Sequence, residues 1–334
     1  MLSGVWKELY EVALRLRQLN PWELFCEKNW ISLFLPTHHD PIYCYFFGEE
    51  EQGCGICVLD TINGIWRGET LYSDDLPQTQ IPRYREEMTF RLGNRESLSA
   101  QDRRIIGQLG LKFRGRSAWP YFRRTKAFCF PVALQEKEAA CMVSVLQNLF
   151  MVVRAVRENR VPRPGDGEMF VRQFDEQDRM WKPGLAQLSF PAPEFVQAVV
   201  TDELGMERLK RLELLDVTLE LDAACMPFPC KDKRISGAFY PQCCLIAEHD
   251  SGHVCTAETL LPTEQPWDSL LRQLFGWMEE QAGLPAEILV RDQEVYTALQ
   301  GVCSDLDIDL MISPRLPAID EFLEAYPCGL GDES

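Results

Sequence analysis

The chain has 334 residues, 46% of them hydrophobic and 25% charged, and a formal net charge of -17. That is ordinary globular composition for about two domains and excludes a disordered or fibrous chain. No apolar run reaches the roughly 18 to 20 uncharged residues of a membrane helix, and the charged, helical start (MLSGVWKELYEV) is unlike a signal peptide, so the expected location is the cytoplasm.

In chain order, Val5, Trp6, Leu9, Val12, Ala13 and Leu16 recur at helical spacing up to Asn20 and Pro21, which predicts an amphipathic first helix. Three strands are expected next, over Trp30 to Leu35, Ile42 to Phe47 and Gly55 to Leu59, with turns at His38 to Pro41 and at Gly48 to Gly53. Arg67 to Pro82 is polar and turn-rich, and Glu87 to Leu92 is a further strand. Ser99, with Asp102 three residues on, opens a short helix through a capping-box pattern. Met142, Val145, Leu146, Leu149, Val152, Val153 and Val156 predict a core-facing helix. Asn159 to Gly167 (NRVPRPGDG) is dense enough in Pro and Gly to mark a domain boundary. A hairpin over Glu168 to Phe174 and Met180 to Ser189 is expected to follow, then a helix over Pro193 to Arg211.

The last third narrows the fold. Leu212 to Leu221 (LELLDVTLEL), Ala238 to His249 and His253 to Leu261 suit three antiparallel strands. Asp250, Ser251 and Gly252 make the turn between the last two. Trp267, Leu270, Leu271, Leu274, Phe275 and Met278 then fall at helical spacing, and Gly283 and Pro285 are read as the stop of that helix. Ile288 to Val290 is a strand, Val295, Leu299 and Val302 a helix, Ile308 to Ile312 a strand, and Pro317 opens a last helix. The order β β β α β α β α predicts a mixed sheet covered by helices. The fold class is therefore α/β. It comprises an α+β N-terminal domain over 1–160, a linker and hairpin over 161–194 and an α/β domain over 195–334.

That element order resembles the ribonuclease H-like fold, including the cores of retroviral-type integrases and transposases. Its local echoes are LLDVTLEL, AEHDSGHV, LPAEILVRD and MISPRLPAIDEF. The resemblance implies carboxylates from the first strand, the end of the fourth strand and a later helix, holding two divalent metals that cleave a phosphodiester. The matching positions are Asp216, Asp292 and Glu324, with Mg²⁺ or Mn²⁺ required under that reading alone and no cofactor otherwise. Each has a plainer role: Asp292 as the N-cap of a helix, Glu324 on a solvated helix face, Asp216 on the wet face of its strand. The chain also resembles an uncharacterised, mainly bacterial family of two-domain proteins of unknown function. WKELY, NPWE, SAWPYFRR, AFYPQCCLIAEHDSGHV, LPAEILVRD and SPRLPAIDE carry that likeness, which implies no activity.

Other candidate ligands are sparse. Thirteen cysteines without regular spacing suit reduced, mostly buried thiols. Cys54 and Cys57 form a lone Cys-x-x-Cys, and a structural zinc site needs a second couplet. Cys225 with Cys230, or Cys243 with Cys244, has poor spacing for it. His249 and His253 flank the Asp-Ser-Gly turn and could share a metal with Glu248 or Cys255. No phosphate-binding glycine loop and no Gly-x-Ser-x-Gly elbow occurs.

Charge is unevenly placed. From Phe195 onward there are 9 Lys and Arg against 26 Asp and Glu, whereas Arg83 to Lys126 holds 12 basic residues against 4 acidic ones. An acidic domain repels phosphate backbones, so nucleic acid is not expected at the C-terminal domain. The basic strip, including Arg103, Arg104, Arg114, Arg116, Arg123 and Arg124, with Trp119, Tyr121 and Phe122 nearby, either docks on that acidic domain or takes a protein or anionic partner, nucleic acid included. The expected function is a non-catalytic binding or regulatory protein; the alternative is a metal-dependent phosphodiester hydrolase or strand-transfer-like enzyme using Asp216, Asp292 and Glu324.

Overall fold

The structure is a computed structural model and describes residues 4–49, 53–71 and 76–325. The tip of the Gly48 to Gly53 turn, at residues 50–52, lies outside the described residues. The N-terminal unit runs α1 (Gly4–Arg17), β1 (Ile31–Phe34), β2 (Ile42–Glu49), β3 (Gly53–Leu59), α2 (Ile62–Thr70), α3 (Ile81–Tyr84), β4 (Glu87–Gly93), α4 (Ala100–Gln108), β5 (Trp119–Thr125), β6 (Val132–Ala133), α5 (Glu136–Arg157), β7 (Glu168–Asp175) and β8 (Met180–Gln187). Its strands form one sheet in the order β6-β5-β4-β3-β2-β1-β7-β8.

The periodicities explain the packing. Leu9 and Leu16 of α1 and Leu146, Leu149 and Val153 of α5 bury against Ile31, Ile56 and Phe90 on one face of the sheet. By length and composition α5 could cross a membrane, but 56% of its most apolar window is buried inside this core. Both α4 and α5 start at capping boxes, Ser99 with Asp102 and Gln135 with Glu138.

Two expectations change here. The hairpin placed in the linker is part of the first sheet: β7 pairs in parallel with β1, Ile31 opposite Phe170. Phe170 packs under α5 and its neighbour Met169 packs on the opposite face with Trp30 and Tyr43, so β7 is apolar on both sides and belongs inside a sheet. Within the turn-rich stretch Arg67 to Pro82, of which residues 72–75 lie outside the described residues, the first four residues end α2 and the last two open α3. Thr61 caps α2 by accepting from the Gly64 amide.

The C-terminal unit runs α6 (Glu203–Leu209), β9 (Glu213–Cys225), β10 (Cys230–Lys231), β11 (Ala238–Phe239), β12 (Gln242–Glu248), β13 (Val254–Leu260), α7 (Trp267–Gln281), β14 (Gly283–Val290), α8 (Gln293–Asp305), β15 (Asp309–Ile312) and α9 (Pro317–Glu324). Residues 193–202, expected to begin a helix, are irregular, and helix forms only at α6. Gly283 and Pro285 stop α7 and also open β14.

The five-stranded sheet has the order β13-β12-β9-β14-β15, antiparallel through the first three strands and parallel through the last two. Gly252 turns the β12–β13 hairpin with a φ of 70°. Leu219 and Leu221 face Leu270, Leu274 and Leu299 of α7 and α8, while Ala224 faces Ile319 and Leu323 of α9. The helices therefore cover both faces of an α/β sheet.

Candidate functional site at the junction of the two units

Residue alternation along β9 sends Leu219, Leu221 and Ala223 to one face and Glu220, Asp222 and Ala224 to the other. Asp222 is fully buried. Leu221 is in register with Val290, the last residue of β14, so the next residues on that strand, Arg291 and Asp292, arrive beside Asp222. Two carboxylates thus lie at the carboxyl ends of adjacent parallel strands, where α/β sheets commonly place binding groups.

Every oxygen of the two carboxylates accepts at least one hydrogen bond. Asp222 Oδ2 accepts from Arg291 Nε at 2.5 Å, and Asp222 Oδ1 accepts from Arg83 Nη1 at 2.5 Å. Asp292 Oδ1 caps α8, accepting from the Glu294 amide at 2.9 Å and the Val295 amide at 3.1 Å. Its Oδ2 takes Arg83 Nη2 at 2.8 Å and the Tyr84 hydroxyl. Arg291 is completed by the Pro314 carbonyl and by Asp320 at the start of α9. One guanidinium from the N-terminal unit therefore bridges the two acids, and a second from β14 closes the back of the site.

The N-terminal contribution comes from one short segment. Gln80 clamps the end of β9 in both directions, its Oε1 accepting from the Cys225 amide and its Nε2 donating to the Cys225 carbonyl. Arg83 and Tyr84 follow on α3. A second strap lies beside it, where the Phe128 carbonyl accepts from the Tyr240 amide at 2.6 Å and Phe130 stacks on Tyr240 at 4.6 Å.

Ionisation follows the burial. Burial pushes Asp222 up, but Arg291 and Arg83 outweigh it and hold the carboxyl below its usual range. Burial raises Tyr84 well above its ordinary value, so the phenol stays a donor. Burial also raises Glu294, against the opposing pull of Arg83 and Arg67. A raised carboxyl binds more protons folded than unfolded, so stability falls as pH climbs from the ordinary value near 4.3 through the folded one. Glu294→Gln is accordingly expected to stabilise the chain at pH 7, on the order of 1 kcal/mol, with the gain vanishing below about pH 4; urea melts at both pH values measure it.

The carboxylates anticipated from sequence are not brought together. Asp216 is exposed near the start of β9, six residues and roughly 20 Å along the strand from Asp222. Glu324 is exposed at the end of α9. Asp292 is buried in the site just described, capping α8 as its plainer reading had it. Among the described residues no group of three His, Cys, Asp or Glu side chains is placed to hold a metal.

The other ligand candidates separate for geometric reasons. Cys54 and Cys57 both lie in β3, three residues apart, so alternation sends their sulfurs to opposite faces: Cys54 joins the core under α1 and α5, Cys57 the cluster with Trp30. Burial and then Glu87 hold the Cys57 thiol well above its usual range, which disfavours the thiolate a metal needs. Burial likewise raises Cys243 to about 11 and Cys244 to about 12. His249 Nδ1 lies 2.6 Å from Glu220 Oε1, and Glu220 Oε2 accepts from the Ile319 amide in the first turn of α9. His253 is exposed and Glu248 accepts from the Ser251 hydroxyl, and among the described residues no three ligand groups at this turn are placed to hold a metal.

The basic strip divides. Arg83 reaches the C-terminal carboxylates, Arg123 forks onto Asp102 at 2.7 and 3.0 Å, and Arg124 meets Asp60 at 2.5 Å. Arg103, Arg104, Arg114 and Arg116 are exposed.

The residues that sequence reasoning missed are Arg83, Tyr84, Asp222 and Arg291. One local signal existed, the Asp within the apolar run LELDAAC at the far end of β9.

No curated protein and no solved structure was found to match the chain. A family model described as Domain of unknown function (DUF6930) matches residues 205–326, and one described as Domain of unknown function (DUF7309) matches residues 6–172, half of the chain. The chain belongs to the DUF7309 family, an uncharacterised one, and carries a DUF6930 domain in its second half.

Proposed function

We propose that this is a cytoplasmic binding or regulatory protein without catalytic activity, whose C-terminal unit is a ribonuclease H-like scaffold with its acidic centre given over to joining the two halves of the chain. Support for the scaffold reading comes from the strand order, a three-strand antiparallel meander extended by two parallel, helix-linked strands. The observation that carries the non-catalytic reading is that all four oxygens of Asp222 and Asp292 already accept from guanidinium, phenol or backbone donors. Magnesium or manganese needs carboxylate lone pairs free to complete a near-octahedral oxygen shell. These residues do not fit such an ion, because Arg83 supplies the positive charge at the point where a metal would sit.

The test is a cleavage assay on single- and double-stranded nucleic acid with Mg²⁺ or Mn²⁺ titrated in. Cleavage is expected to match a protein-free control at every metal concentration. Metal-dependent cleavage by the parent chain that disappears in Asp222→Asn and Asp292→Ala would overturn the proposal.

A further inference from the structure

The N-terminal sheet carries a second feature, on the face of β4 and β5 away from α1 and α5. Strand register places Phe47, Gly55, Arg91 and Tyr121 in one row across β2, β3, β4 and β5, with Tyr45, Cys57, Thr89 and Arg123 in the adjacent row. Glycine is required at two positions for the rings to lie as they do. A Cβ at Gly55 would come within 2.4 Å of Phe47 Cζ, and one at Gly93 within 2.8 Å of Tyr121 Cε1, so each ring leans over a neighbouring strand. Arg91 then lies over Phe47, its Cζ 5.2 Å from the ring centroid, and Arg123 over Tyr121 at 4.8 Å. Asp102 fixes the Arg123 plane by its two-point contact.

This surface borders a groove. A cavity of about 310 Å³ is lined by Arg91, Tyr121, Arg123 and Phe130. It shares Arg123, Phe130 and Pro131 with a larger cavity of about 900 Å³ that continues to Lys126. The carboxylate inside the smaller cavity, Glu87, is engaged by Arg85 at 3.3 Å and by the Cys57 thiol at 3.0 Å. Beyond β4 the chain presents Arg95, Arg103, Arg104, Lys112, Arg114 and Arg116, all exposed and, among the described residues, without an ion-pair partner. The excess of acid over base that makes the chain negative lies from residue 195 onward. Lining the two cavities themselves, Arg85, Arg91, Arg123, Arg124, Lys126 and Arg234 outnumber Glu87, Glu136 and Glu138, a local excess of positive charge in a chain whose total is -17.

We propose that this groove binds single-stranded nucleic acid. Unstacked bases seek flat aromatic and guanidinium surfaces, and phosphates seek Lys and Arg lining the path of the backbone; the alternation of Phe47, Arg91, Tyr121 and Arg123, with Lys126 exposed along the connected cavity, offers both. A duplex hides its base faces, and an acidic peptide has no ring to stack, so neither uses the platform. This site is separate from the junction and does not depend on the reading given to it.

Fluorescence anisotropy on the full chain tests the assignment, with labelled oligo-dT and oligo-U of about 15 nucleotides in about 50 mM salt. Binding is expected, weakening steeply as salt rises, and dropping about tenfold in Tyr121→Leu and in Arg91→Gln, with an equal-length duplex and polyglutamate binding less tightly. Photocrosslinking of a 4-thiouracil oligomer to the parent chain gives an answer even where a variant fails to fold; the adduct is expected within residues 45–47 or 119–123. No binding at low salt, binding unchanged in Tyr121→Leu, tighter binding of the duplex or polyglutamate, or crosslinks confined to other segments would each overturn the proposal.

Discussion

Replacing Arg83 with methionine is expected to destabilise the chain by about 3 to 5 kcal/mol, because the change leaves buried carboxylates without their shared counter-charge. Asp222 is fully buried and would retain only Arg291; Asp292 would retain Tyr84 and the α8 amides. Pairing the change with Asp222→Leu removes the stranded charge as well, and Arg291 still has Asp320 and the Pro314 carbonyl. The double variant should therefore recover a large part of the loss, which urea denaturation in a double-mutant cycle measures directly. A loss under about 1 kcal/mol for Arg83→Met, the range of an exposed pair, would show that the bridge is not what joins the units. The pH dependence has a definite sign. With its folded value depressed, Asp222 contributes its full stabilisation above the ordinary carboxylate value near 3.9 and loses it as pH falls through the folded value. The junction is thus expected to persist through neutral and mildly acidic solution and to open only in strong acid.

Phe170→Ala should cost about 3 to 5 kcal/mol, the range for truncating a fully buried aromatic side chain. Phe170 has no exposed surface, lies in the core under α5, and its amide donates to the Trp30 carbonyl across the β1–β7 pairing. Were residues 168–187 only a hairpin between domains, the truncation would hardly register. Guanidinium denaturation followed by far-ultraviolet dichroism distinguishes the two, and a loss below about 1 kcal/mol would return the hairpin to the linker.

Periodicity in the sequence set the elements wherever one segment's own pattern was sufficient. The stripe from Met142 to Val156 became the buried face of α5, Ser99 and Asp102 closed their capping box, and the patterns in the last third located the five strands of one sheet, except that Ala238 and Phe239, expected to open the second, pair with β10 in a separate two-stranded sheet. Asp292 was legible as a helix cap because Asp directly before a helical run is a local signal. Arg67 to Pro82 misled because Gln80 near its end, like Arg83 just beyond it, faces into another unit and not into water. At this junction polar side chains serve burial, paired with partners from the other unit.

Taken alone, the sequence determined the α/β class, the two-part organisation and the separation of a basic strip from an acidic C-terminal half. Those properties are sums over neighbouring residues, and hydrophobic period and charge are local quantities. Only the tertiary structure decided that β7 and β8 complete the first sheet, that Asp222 and not Asp216 stands beside Asp292, and that Arg83, 139 positions before Asp222 in the chain, bridges the two. The reason is physical: a carboxylate becomes a metal ligand, a solvated charge or half of a buried ion pair according to what the rest of the fold brings within about 3 Å of it, and no spacing within its own segment carries that information.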